Sequence, residues 1–452
     1  MQNLKSFSAL TIGEKHKAVG KVCQDAANHL EDIVKGLFIS VLSDGHGSNV
    51  YFRSHIGAKL LVEITTKALH SFILDIDDKL MDENIIAMPS RTTIAQKDLN
   101  IKPPKADQAL RQLFSSIIAQ WNDAIYKDWY KQKPGAKELE DAKVDDNYIR
   151  RFLDDKEIEM AYGCTLLAIA RTPRYWLGFQ LGDGKCMAFD KEGAWSEPIP
   201  WDEQCSGNLT TSMCQSNPLD NFRYAYGSEF FPVLFIGSDG MDGAYGQDEE
   251  IAMQNLALLY SGMIKSFARN GFDKALSDIK DTLPRLSAKG ISQDDISVGG
   301  ILDMDTIKEM YPLLLKKELE QSRETYETIA KETDAKQNEV IDLETRVNEK
   351  KESFNQLKEQ LQVAEEEKEK HEQNWKKVFK EKEKSQQKWE DLQASLQKLE
   401  TELNQLSDDL SFEKNYFRRI IKEEDDLKSK IENLKSEILQ VGHNDLINHK
   451  KN

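Results

Sequence analysis

Residues 37–48 read Leu-Phe-Ile-Ser-Val-Leu-Ser-Asp-Gly-His-Gly-Ser. The apolar run is too short for an ordinary helix and is rich in β-formers, so it predicts a buried strand. It stops at a tight glycine loop, where Asp44 closes the strand and Gly45 and Gly47 let the backbone turn. A carboxylate is thereby carried to the rim of a core that it cannot enter as a charge.

The same arrangement recurs along the chain. Phe230 to Gly237 is an apolar run closed by Ser238-Asp239-Gly240, and Ile296 to Leu302 is another, opened by Asp294-Asp295. Cys164 to Ala170 predicts a further buried strand. Tyr175 to Leu181 and Lys185 to Asp190 flank Gly182-Asp183-Gly184, a spacing that predicts a hairpin. Phe52, Ile56, Leu60 and Ile64 lie one turn apart and predict a helix after the first loop. Further helices are predicted over about 108–131 and, as a pair, over 249–289. Residues 75–104 are predicted as a long loop and 132–158 as an exposed, charged insertion. Strands grouped apart from helices predict an α+β sandwich.

An aspartate at a strand end is ordinarily a turn residue. Asp25, Asp44, Asp239 and Asp294 together allow a second reading. If they converge, their repulsion is tolerable only with a cation between them. Carboxylates with a backbone carbonyl and waters suit hard ions such as Mg²⁺ or Mn²⁺. Spacing alone leaves their convergence open.

The 452 residues carry 61 basic and 78 acidic side chains, a net charge of −17. That balance argues against a protein that grips nucleic acid through a basic face, and against attachment to anionic lipid. No stretch predicts a signal peptide or a membrane span. Five cysteines, with no CxxC pair, predict neither a disulfide framework nor a zinc site, and suit a reducing cytoplasm.

The ordered set Asp25, Ser43-Asp44-Gly45-His46-Gly47, Gly163-Cys164-Thr165, Gly182-Asp183-Gly184, Ser238-Asp239-Gly240 and Asp294-Asp295-Ile296-Ser297 resembles the metal-dependent protein phosphatases of type 2C, the PPM family. The resemblance spans about residues 8–305, and its wording is similar to a bacterial branch of the family. It implies a four-layer β-sandwich flanked by helices on both faces. It also implies two Mn²⁺ or Mg²⁺ ions held by Asp25, Asp44, the Gly45 carbonyl, Asp239 and Asp294, with Asp183 helping to hold a third. The activity implied is hydrolysis of phosphoserine and phosphothreonine on proteins by a metal-activated water. His46 would be the general acid that protonates the leaving oxygen, the other reading being a histidine that only hydrogen-bonds the metal shell. Many relatives place a phosphate-clamping arginine five residues before the first aspartate, where this chain has Gly20. His16, Lys17, Lys21 and Arg53 are the candidates to replace it. The partners expected are a phosphoprotein substrate and a cognate protein kinase. The other reading is a scaffold that binds phosphoproteins through a weakly active or inactive phosphatase-like domain.

The rest of the chain differs in kind. Residues 306–452 hold 34 acidic and 28 basic side chains, and neither Gly nor Pro occurs from 313 to 441. Stepping alternately by three and four from Leu319 reaches 441 without a slip, and 26 of the 36 positions met are apolar. A 3.5-residue repeat of this length predicts a left-handed coiled coil. The expected division is a catalytic domain over 1–305, a coiled coil over 306–441 and a flexible tail over 442–452. An unbroken helix over 319–441 would be a rod of about 185 Å, pairing in parallel with a second copy or with a helical partner; a tail folded back on itself is the open alternative. Its expected role is dimerisation or targeting.

Overall fold

The computed structural model describes residues 3–205, 209–242, 249–290, 292–373 and 379–448. They form two compact units, Met1–Leu314 and Leu315–Asn452.

The first unit is built on two antiparallel sheets. One runs in the order β1 (Leu4–Thr11), β11 (Ile296–Asp303), β10 (Val233–Gly237), β7 (Lys185–Phe189) and β8 (Trp195–Ser196). The other runs β2 (Ala26–Asp32), β3 (Leu37–Ser43), β5 (Leu166–Arg171), β6 (Trp176–Leu181), β9 (Arg223–Gly227) and β4 (Ile86–Met88). Side chains alternate across each strand, so one sequence feeds two cores. From β3, Phe38 and Leu42 face the other sheet and meet Leu234, Ile236 and Ile301 in the sandwich interior. Ile39 and Val41 face outward into a second core.

Helices cover both outer faces. After α1 (Glu14–Ala18), α2 (Ser54–Asp75), α3 (Arg91–Gln96) and α4 (Asp107–Lys131) come α5 (Ala136–Asp141), α6 (Asp146–Leu153), α7 (Ile158–Ala161) and α8 (Asp239–Asp242). Leu61 and Leu69 of α2 and Ile117 and Trp121 of α4 close the core over the six-stranded sheet. On the opposite face, α9 (Glu249–Asn270) and α10 (Phe272–Lys289) set Leu256, Tyr260, Ile264 and Ile279 against Phe7, Phe235 and Val298. This is the four-layer sandwich that the sequence predicted.

Three local expectations are corrected. Residues 75–104 contain β4, which pairs with β9, and the short helix α3. The stretch 132–158 is no exposed insertion, because Leu139 and Phe152 are fully buried and Phe152 packs 5.7 Å from Trp129. The Asp-Gly turn at 182–184 joins no hairpin. β6 and β7 lie in different sheets, and the turn carries the chain from one to the other. Gly182 takes φ +117° there, in a space already filled by Thr165.

α11 (Met304–Gln373) begins in this unit. Its first turns add Ile307, Met310 and Leu314 to the core over the five-stranded sheet.

The second unit consists of the remainder of α11 and α12 (Phe379–Asn448). They run antiparallel. Glu318 pairs with Lys430, Tyr326 with Glu424, Lys336 with Glu413, Lys350 with Glu402 and Glu367 with Lys388, so one partner's number falls as the other's rises. The seam from the sequence is the one that packs: Val340, Leu343, Val347, Ile420, Ile431 and Leu434 are buried. What differs is the topology: the two helices pair antiparallel with each other in place of one continuous parallel rod. The seam positions at 375 and 378 and the last four residues lie outside the described residues. α12 continues to Asn448, through much of the expected tail.

Candidate active site

Strand register brings the acidic motifs to one end of the sandwich. Ala26 faces Ser43, so Asp25 and Asp44 sit just beyond the same end of a strand pair. Leu42 faces Leu167 and Leu166 faces Leu181, which carries that end across to Asp183. The sheet-to-sheet turn then reaches Lys185, whose partner is Gly237, two residues before Asp239. Gly237 faces Val298, and Thr11 faces Ile296, two residues after Asp294. Five aspartates from positions 25 to 294 thus share one edge because antiparallel pairing alternates strand ends.

The backbone around them is pinned. The Asp44 N–H donates to Thr165 Oγ1 at 3.1 Å, and the Thr165 N–H returns to the Asp44 carbonyl at 2.8 Å. Gly45 forms an isolated bridge with Cys164. Asp239 opens α8 beside the start of β11. A β-carbon on Gly240 would lie 2.0 Å from the Asp295 carbonyl oxygen, so only glycine lets this turn pack there.

The carboxylates are costly to hold ionised. Asp25 is buried, and neither of its oxygens has a hydrogen-bond partner. Burial lifts its pKa to about 8; Asp295 and Asp239 push the same way, and the nearby Ser297 and Ser238 hydroxyls oppose them. Burial, then Asp25 and Asp239, hold Asp44 well above the usual carboxylate range. Asp183 is raised to about 6 by burial and by Asp239, with Thr210 and Arg223 acting against the rise. Asp239 keeps open surface, yet protein atoms crowd its carboxyl and raise its pKa, against the lowering effects of Asp44 and Lys15. Two unsatisfied buried oxygens among mutually repelling carboxylates fit a hard divalent cation, which would replace the missing protons and hydrogen-bond donors.

Asp295 acts differently from its neighbour. Its oxygens accept from the backbone N–H groups of Gly13 and Gln24, each at 2.6 Å. His16 Nδ1 lies 3.0 Å away. Burial would raise the Asp295 pKa, but these hydrogen bonds outweigh it and lower it. The effect is to lash α1 and the strand start of Asp25 to the β11 strand. His16, Asp294 and Asp295 also form the one group of three close metal-ligating side chains among the described residues.

Three of the expected side chains are elsewhere engaged. Arg53 is buried, bonded to the Tyr162 hydroxyl at 3.0 Å and the Gln132 carbonyl at 2.7 Å, and paired with Glu138; it ties helices together and is corrected as a phosphate ligand. His16 is buried against Asp295 and is corrected likewise. His46 stacks edge-on against Tyr51 and sits 2.6 Å from Ser212 Oγ. Ser212 Oγ also lies 3.1 Å from the Cys164 carbonyl oxygen. Burial lowers the His46 pKa to about 4, which leaves the ring neutral at pH 7. That geometry anchors the Ser212 loop. Lys21 stays at the rim, donating to the Gly47 carbonyl at 3.0 Å.

Sequence reasoning missed Lys15, whose Nζ pairs with Asp294 Oδ2, and Arg223. Arg223 is buried and donates to the Gly182 carbonyl at 2.6 Å, beside Asp183. Neither carries a motif of its own, and only the fold brings them near the acidic edge.

A sequence profile described as protein phosphatase 2C matches residues 12–279. No curated protein matches the chain. Among solved structures, a serine/threonine phosphatase of S. agalactiae is 16% identical, with 66% of this chain and 99% of that one covered at a TM-score of 0.37. A serine/threonine phosphatase from Staphylococcus aureus is 14% identical, with coverage of 67% and 95% and a TM-score of 0.36. PppA, described as a regulatory component of T6SS in Pseudomonas aeruginosa, is 14% identical, with coverage of 66% and 97% and a TM-score of 0.36.

Proposed function

The chain belongs to the protein phosphatase 2C family, and from that premise we propose that it hydrolyses phosphoserine and phosphothreonine esters on proteins with divalent cations held at the acidic edge. The observation that carries this reading is the buried Asp25 carboxylate, left without a partner among four others. Asp25, Asp44, Asp239 and Asp294, with the Gly45 carbonyl, would hold two Mn²⁺ or Mg²⁺ ions, and Asp183 would help to hold a third. When bound, such ions supply charge to the phosphoryl oxygens and lower the pKa of water enough to make a nucleophile at neutral pH.

The chain's own residues do the positioning. Thr165 and Cys164 fix the Asp44–Gly45 backbone, so that the carboxylate and the carbonyl keep one spacing. Asp295 holds the Asp25 and Asp294 segments together by binding Gly13, Gln24 and His16. Arg223 and Gln180 bond to the Gly182 carbonyl, which sets the turn that presents Asp183. The helical hairpin carries none of these residues, and we assign it to targeting.

The test is phosphate release from phosphoserine and phosphothreonine peptides by the full chain in Mn²⁺. Release that stops in EDTA and returns with Mn²⁺ supports the reading. Release that persists after complete metal removal overturns the mechanism, and no release in any divalent cation leaves the phosphoprotein-binding alternative.

A further inference from the structure

Lys15 stands in an unusual place for a lysine. It lies on α1, whose position is fixed by the Gly13 N–H on Asp295, by His16 against the same carboxylate, and by the Lys15 N–H on the Gln293 carbonyl at 3.2 Å. From that anchored turn its side chain reaches Asp294 Oδ2, and its charge also lowers the pKa of Asp239. The other lysines of the rim do not do this. Lys17 pairs with Glu14, and Lys21 donates to the Gly47 carbonyl. A side-chain cation therefore already occupies part of the electrostatic role that a divalent ion would fill. The Lys15 side chain is 44% exposed, so it can leave Asp294 without unpacking anything.

We propose that Lys15 is an internal counter-cation that a divalent ion must displace from Asp294, and that the displaced ammonium then binds the substrate's phosphoryl oxygens. The proposal rests on the phosphatase reading of this edge. It follows from charge: Asp294 cannot give the same oxygen fully to an ammonium and to a metal ion, and a freed ammonium beside a phosphate dianion gains a charge-assisted hydrogen bond.

The experiment compares the full chain with Lys15→Met and Lys15→Arg. The first readout is Mn²⁺ affinity of the metal-free proteins by calorimetry, which needs no turnover. Lys15→Met should bind Mn²⁺ about tenfold more tightly, the order expected from removing one close charge contact in a partly exposed site. Lys15→Arg should stay near the wild type. The second readout is competition by inorganic phosphate in the Mn²⁺-loaded proteins, which should weaken about tenfold in Lys15→Met and be retained in Lys15→Arg. Mn²⁺ binding no tighter in Lys15→Met overturns the counter-cation role. Tighter Mn²⁺ with unchanged phosphate competition overturns the phosphate role. Because Mn²⁺ affinity is read without catalysis, a failure here is distinct from a chain that binds metal and hydrolyses nothing.

Discussion

In the hairpin of Leu315–Asn452, a residue's neighbours follow from its place in a seven-residue repeat, whereas in Met1–Leu314 the acidic edge draws on positions 25, 44, 183, 239 and 294. The hairpin's helices bury a seam and pair their flanking charges, Lys336 with Glu413 and Lys350 with Glu402. The sandwich does the reverse at its working edge. It gathers like charges, leaves Asp25 unpartnered and raises carboxylate pKa values. The contrast separates what stabilises from what is available for chemistry: one region pairs opposite charges along its seam, and the other gathers like charges at a rigid strand edge.

The separation breaks most visibly through activity. Asp239→Ala should lower phosphopeptide turnover by about three orders of magnitude or more, because it removes a ligand of the cation set. Ending the chain after Leu314 should leave turnover of a small phosphoester unchanged. A truncated protein as inactive as Asp239→Ala would mean that the hairpin contributes to the site.

The next test concerns the hairpin itself. Because its seam is filled from within one chain, light scattering should give a mass near 51.7 kDa at micromolar concentration. Twice that mass would show that the helices pair between copies and would restore the dimer that the sequence suggested.

A third test sets the acidic edge against the rest by pH. Asp25 holds its proton to about pH 8 in the folded chain, against an ordinary value of 3.8. Its contribution to stability is therefore full below about pH 4 and is lost as pH rises through 8. In EDTA the melting temperature of the first unit should fall by about 5 °C or more between pH 5.5 and 8.5. Saturating Mn²⁺ should flatten that slope, and a slope equal in both conditions would detach Asp25 from cation binding.

The smallest effect is expected at His46. His46→Gln should cost about 1 kcal/mol through the lost contact to Ser212. Any loss in rate should be equal on p-nitrophenyl phosphate and on a phosphoserine peptide. A loss of about 10²-fold confined to the peptide would establish the general acid.

What was legible in the sequence follows the same contrast. β3 and β10 could be read because each is a short apolar run with an aspartate and glycine after it, and the seam because its period repeats across many turns. β1, β2 and β9 carry mixed or small residues, and pairing rather than composition makes them strands. The turn at 182–184 misled because an Asp-Gly pair specifies a tight reversal without specifying the sheet that receives the next strand. The hairpin misled because a seam with constant phase serves parallel and antiparallel pairing alike. Arg53 and His16 were read as free cations because burial cannot be seen in a single side chain's identity. The candidate carboxylates were legible as a set; their shared edge required the strand register.

The most direct test of the central claim, that these carboxylates share a cation site, is Mn²⁺ titration of the metal-free full chain at pH 7.5 in weak buffer, with proton release followed alongside heat. Asp25, whose pKa is about 8, and Asp44, held well above the carboxylate range, must give up protons to bind the ion. The account predicts saturable binding of at least two ions with about one proton or more released per chain, and loss of most of both signals in Asp44→Asn. Saturation without proton release, or an Asp44→Asn protein that titrates like the wild type, would contradict it.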